Sequence, residues 1–170
     1  MQRFDNLLEK WATNFKPISH NPEGGAAGKR FFRIDGPEQL ESILTSIVNI
    51  KTPIMGYITQ IAGVGIEGKD GLMEYAHRVF IFVYHRIQNN YREDIDIMES
   101  KVCGVEIAEK LIAYLRKLKK ENPEYRGLRL EDSALLTYPV RFGNWYPIEV
   151  TFYQTQNYNK CVNPEDYKEV

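Results

Sequence analysis

The chain has 170 residues, 43% apolar and 26% charged, a balance that excludes wholesale disorder. Twenty-two Lys and Arg against 23 Asp and Glu leave a net charge of −1, which removes the electrostatic footprint of a general nucleic-acid binder. The longest apolar run, Val79 to Tyr84, falls far short of the roughly 20 residues of a membrane span, so no membrane association is expected.

The length fits one core-bearing domain over residues 1–170. Met1 to Phe15 holds no continuous hydrophobic segment, so no signal peptide is read there and a cytoplasmic location is expected. The only two cysteines, Cys103 and Cys161, have no metal-ligand spacing, and a reducing compartment disfavours a disulfide between them.

Phe4, Leu7, Leu8, Trp11 and Phe15 recur at helical spacing and predict an amphipathic helix over 3–15, stopped by Lys16-Pro17. The Pro- and Gly-rich stretch over 17–29 reads as a flexible loop. Arg30 to Ile34 predicts a short strand. Gly36-Pro37 opens a second helix over 37–47, with Leu40, Ile43, Leu44 and Ile47 as its buried stripe. Ile54 to Ala62 follows as a strand. Gly63, Gly65, Gly68 and Gly71, interspersed with charges, then predict a flexible hairpin tip.

Leu72 to Ile87 is the clearest strand. Val79, Ile81 and Val83 point one way and Phe80, Phe82 and Tyr84 the other, so it belongs at the centre of a sheet covered on both sides. A long helix is predicted from about Asp94 to Lys120. Its expected stripe is Met98, Val102, Val105, Ala108, Ile112, Leu115 and Leu118, and Gly104 marks close packing on the sheet. Acidic residues gather at its start and basic ones at its end, complementing the helix dipole. A hairpin closes the chain: alternation over 135–142, a turn at Gly143-Asn144, and alternation over 146–152. Pro139 and Pro147 are assigned to an edge or a bulge, and 156–170 to an extended tail. The fold class is α+β: an antiparallel sheet of about four strands packed against one long helix, with additional N-terminal helices.

The residues that carry chemistry form no catalytic, metal or cofactor constellation. Gly24-Gly25-Ala26-Ala27-Gly28-Lys29 lacks the first glycine of a phosphate loop, the hydroxyl residue after its lysine, and a preceding hydrophobic strand. His77 and His85 share a strand face but stand roughly 26 Å apart at about 3.3 Å per residue, too far to hold one metal. Cys103 reads as a structural thiol, and the pair Glu131-Asp132 has no identifiable partner. No enzyme and no cofactor are therefore expected.

Two groups remain as surface candidates. Arg116, Lys117, Lys119, Lys120, Arg126 and Arg129 form a basic group able to meet phosphates, or a solvated helix end. Trp145, beside a turn and next to Tyr146, is the aromatic expected to be exposed; with Gly63, Gly65 and Gly68 these make a candidate interface. Eleven tyrosines suit an interface, although tyrosine fits strands equally well.

The strand over 77–84, the helix through Ile107-Ala108-Glu109-Lys110-Leu111-Ile112, and the final strand Tyr146-Pro147-Ile148-Glu149-Val150-Thr151-Phe152 resemble, in order and pattern, the tail terminator and head-tail joining proteins of long-tailed bacteriophages. The resemblance covers about two-thirds of the chain and carries no signature motif; the helix over 37–47 departs from the simplest version. It implies a ring-forming homo-oligomer, commonly a hexamer, that caps the tail tube and docks to the head. Its partners would be itself and other phage tail or head-tail connector proteins, with nucleic acid not expected. The alternative is an intracellular module, monomeric or dimeric, that binds protein or nucleic acid through a sheet edge or the basic helix end. A third reading is an enzyme whose site is assembled from scattered residues.

Overall fold

A computed structural model describes residues 4–34, 39, 42–43, 45, 50–64, 72–84, 93–137 and 144–157. The described helices are α1 (Phe4–Asn14), the single turn α2 (Gly25–Gly28) and α3 (Glu93–Glu121), with a 3-10 turn at Pro123–Tyr125. The strands are β1 (Phe31–Arg33), β2 (Ile54–Val64), β3 (Leu72–Tyr84), β4 (Leu128–Thr137) and β5 (Trp145–Asn157). They form one sheet in the order β1-β2-β3-β5-β4, which places β3 at the centre as its two apolar faces require.

The sheet is mixed, which corrects the expectation of an antiparallel sheet of about four strands. β1 runs parallel to β2, with Phe31 opposite Met55 and Arg33 opposite Tyr57, and all other pairings are antiparallel. The reason lies in the connection. Parallel strands need a crossover of a dozen or more residues, usually helical, and the chain between β1 and β2 supplies one. Gln39, Ser42, Ile43 and Thr45 are helical within it; the rest of the predicted 37–47 helix lies outside the described residues.

Strand parity divides the core. On one face Met55, Tyr57, Val79, Ile81, Val83, Ile148, Val150 and Phe152 meet Phe4, Leu7, Leu8 and Trp11 of α1 and Ile107, Ala108, Leu111 and Leu115 of α3. On the other, Ile54, Phe80, Phe82 and Trp145 cluster with Ile50, and Ile43 of the crossover packs against them. Gly104 sits where α3 crosses the sheet. A Cβ there would overlap Ile148 Cδ1 and stand 3.2 Å from Val83 Cγ2, so the glycine permits the close approach read from the sequence.

The expected buried stripe of α3 is corrected. Met98 is 68% exposed and Val102 49%, while Ser100, Ile107, Ala108, Leu111 and Leu115 are buried. Steps of three and four residues were mixed so that the expected stripe wandered around the axis. At 100° per residue, Met98 and Val102 lie opposite Ile107 and Leu111.

β4 starts at Leu128, well before the predicted alternation at 135, and residues 138–143 lie outside the described ones. Pro147 stands opposite Phe82 of β3, one residue past the last described β4–β5 pair, Thr137 with Ile148. β5 continues to Asn157, so the first two residues of the expected tail are strand; 158–170 lie outside the described residues.

The 17–29 segment, expected to be a flexible loop, is tied to the body. Ile18 and His20 are buried at 0% and 3% exposure, and Gly25 takes a positive φ of 57° as it enters α2. Among the described residues no helix is long and apolar enough to cross a membrane.

Candidate functional site

The far end of the sheet is built by three strands. β2 pairs with β3 as far as Val64 and Met73, and β3 pairs with β5 as far as Leu72 and Asn157. β4 drops out earlier, its first pair being Leu128 with Gln154. Three rows of β3 and β5 therefore continue past Gln154, roughly 10 Å at about 3.3 Å per residue. Gly63 lies in this arm rather than in a loop. It faces Glu74 immediately after a register shift between Ile61 and Gly63, the kind of irregularity at which glycine spares a side-chain clash. Gly65, Gly68 and Gly71 lie outside the described residues.

At the opposite end Trp145 is 4% exposed, which corrects the expectation that it is exposed, and Tyr146, also of the candidate interface, is 4% exposed as well. Trp145 is opposite Tyr84 and meets it edge-on, with ring centroids 5.3 Å apart. It belongs to the cluster of Ile50, Ile54, Phe80 and Phe82 on the second sheet face. Proximity to a turn pointed to exposure; the second layer, which covers that face, could not be read from the turn.

The six basic residues do not form one patch. Lys119 bonds Glu131 at 2.8 Å, joining α3 to β4. Arg129 bonds Glu74 and lies 5.9 Å from the Tyr153 ring. Strand parity puts Tyr153 on the face away from α3, since Tyr153 is opposite Ala76 and Phe152 opposite His77. Lys117 stands 3.8 Å from Glu121, one turn further on. Arg116, Lys120 and Arg126 are exposed. Exposed large apolar side chains are Met98 and Val102 on α3 and Leu135 and Leu136 on β4.

Two histidines occupy sites that sequence reasoning missed. His77 is 3% exposed and stacks on Phe4 with centroids 4.4 Å apart. Its Nδ1 accepts the Tyr57 hydroxyl at 2.7 Å, and its Nε2 donates to Gln154 Oε1 at 3.1 Å, so the neutral ring is fully used. Burial lowers its pKa from 6.5 to about 4, with the Gln154 hydrogen bond acting the other way. His20 Nδ1 accepts the Arg30 amide at 3.0 Å, which leaves the ring proton on Nε2, facing Glu9 at 3.4 Å. Burial lowers its pKa, and Glu9 opposes the shift. Glu9 and Asp5 also bind Arg33, at 2.7 and 2.8 Å, fastening α1 to β1. These groups hold the N-terminal third together. The even spacing of His77 from Val79 and Ile81 was the signal that it points into the helix-covered core.

On the second face, Glu149 is 2% exposed and accepts from Arg78 Nη2 at 2.9 Å and from Thr151 Oγ1 at 2.9 Å. Burial and Glu106 raise the pKa of the half-buried Cys103 thiol, which reduces its thiolate fraction. Among the described residues no three His, Cys, Asp or Glu side chains come together as a metal site. No family model matches this sequence, and no curated protein matches it significantly.

Proposed function

We propose that this protein is a non-enzymatic structural component of a phage or prophage tail, forming a ring that caps the tail tube and docks to the head. The observation that carries the reading is the three-strand arm at the far end of the sheet. Strands β2, β3 and β5 stay paired with one another beyond Leu128, the first paired residue of β4, and this extension is the part assigned to meet a neighbour. The order of the elements supports it too: an N-terminal helix, a long hairpin, a long helix on the sheet, and a closing pair of strands. The alternative of a nucleic-acid-binding module is less well supported, because Lys117, Lys119 and Arg129 each face a carboxylate.

The test is mass in solution by light scattering behind a sizing column, over a concentration series. Six copies of the 19.8 kDa chain, about 119 kDa, are expected as a closed particle with a central opening in negative-stain images. A dimer that stays a dimer at every concentration overturns the ring, since a two-fold contact closes on itself.

A further inference from the structure

The outer stripe of α3 combines exposed apolar groups with segregated charge. Met98, Val102, Glu109, Arg116 and Lys120 are all exposed, and at 100° per residue they fall within about 40° of one another around the helix axis. Ile107, Leu111 and Leu115, buried on the sheet, lie on the opposite side. Along this line Met98 and Val102 are followed by Glu109 and flanked by Glu99 and Glu106 on one side, with the half-buried Lys101 on the other. The C-terminal end carries Arg116 and Lys120, with Arg126 exposed just beyond. Helix dipole compensation accounts for charge within the first and last turns only. Glu106, Glu109 and Arg116 lie well inside the helix, where the dipole has no hold on them.

We infer that this stripe is a contact between copies of the chain, the acidic, apolar half of α3 in one copy meeting the basic end of α3 in another. The two halves are complementary in charge, and the contact removes Met98 and Val102 from water. From Met98 to Lys120 the stripe is about 33 Å long and about 10 Å wide, so it offers roughly 330 Å² per copy. That is less than half the roughly 800 Å² per partner of a standard stable interface, so the contact is weak and salt-sensitive. The inference rests on the proposed self-assembly, but it names the surface and leaves the symmetry open to measurement.

Two charge-reversed chains test it. The first carries Glu106→Lys with Glu109→Lys; the second carries Arg116→Glu with Lys120→Glu. Circular dichroism and thermal melting confirm that each folds. The wild-type chain is expected to associate near roughly 20 mM salt and to disperse near roughly 500 mM. Each variant alone is expected to associate more than about tenfold more weakly, and an equimolar mixture to regain association. A wild-type chain that stays monomeric at low salt overturns the inference, as does a variant that associates unchanged or a mixture that stays dispersed. The mass read in the same runs judges the ring separately. Recovery as a closed dimer supports this contact and overturns the ring, whereas a six-copy particle indifferent to both charge reversals keeps the ring and overturns this contact.

Discussion

The two faces of the sheet are held by different physics. The face under α1 and α3 buries a continuous apolar layer, with Leu8, Ala108, Leu111, Leu115, Ile148, Val150 and Phe152 at 0% exposure. At its centre the polar side chains His77 and Gln154 are hydrogen-bonded to each other. Among the described residues the opposite face has an aromatic cluster around Phe80, Phe82 and Trp145, and beside it a charged pair, Arg78 with the buried Glu149. Under the middle of the helices water is excluded and the polar groups are neutral, whereas at the edge the buried Asp5 of α1 pairs with Arg33, which is 47% exposed. Arg78 is 31% exposed and pairs with the buried Glu149 beneath it.

The sharpest test of that contrast is truncation. Phe152→Ala is expected to cost about 3–5 kcal/mol in denaturant unfolding, because Phe152 is fully enclosed between Phe4 and His77. Phe80→Ala, at a site 8% exposed where Phe152 is at 0%, is expected to cost less; an equal cost would remove the distinction between the faces. The next effect is acid-dependent. The folded pKa of His77 lies near 4, below its unfolded 6.5, so protons bind the unfolded chain first as pH falls. Stability is expected to drop between pH 6.5 and 4, by up to roughly 3 kcal/mol from this group, and to stop responding to it below that window. Urea titrations at several pH values should show this slope, and His77→Gln should flatten it.

On the second face, Glu149→Gln keeps the shape but removes the charge facing Arg78. A loss of about 1–2 kcal/mol is expected, moderated by the exposure of Arg78. A change near zero in the midpoint of chemical unfolding would show that burial alone holds this face as well. The smallest effect belongs to the surface: Lys117→Ala breaks an exposed pair with Glu121, and thermal melts should move by less than the equivalent of about 0.5 kcal/mol.

Much of the architecture was legible in the sequence because strand and helix periods are local properties. The two-residue alternation of 79–84 placed β3 at the centre, and Gly104 announced the close crossing of α3 and the sheet. The helical crossover before β2 implies a parallel β1, a pairing that an all-antiparallel sheet does not contain. Of the candidate surface, Arg116, Lys117, Lys120 and Arg126 are exposed as their charge predicted. Trp145 is not, because its cover comes from residues nearly one hundred positions away in sequence, Ile50 and Ile54 among them.

The sequence by itself determined most helices and strands, since propensity, turn residues and periodicity act within a few residues, but not the start of β4 at Leu128, ahead of the alternation over 135–142. Only the tertiary structure decided which side of α3 faces water, which aromatic lies under a second layer, and which histidine sits neutral between Tyr57 and Gln154. Those outcomes depend on contacts between residues distant in the chain. Met98 and Val102 are apolar like Ile107 and Leu111, yet they face solvent while Gly104, on the packed side, lies against Ile148.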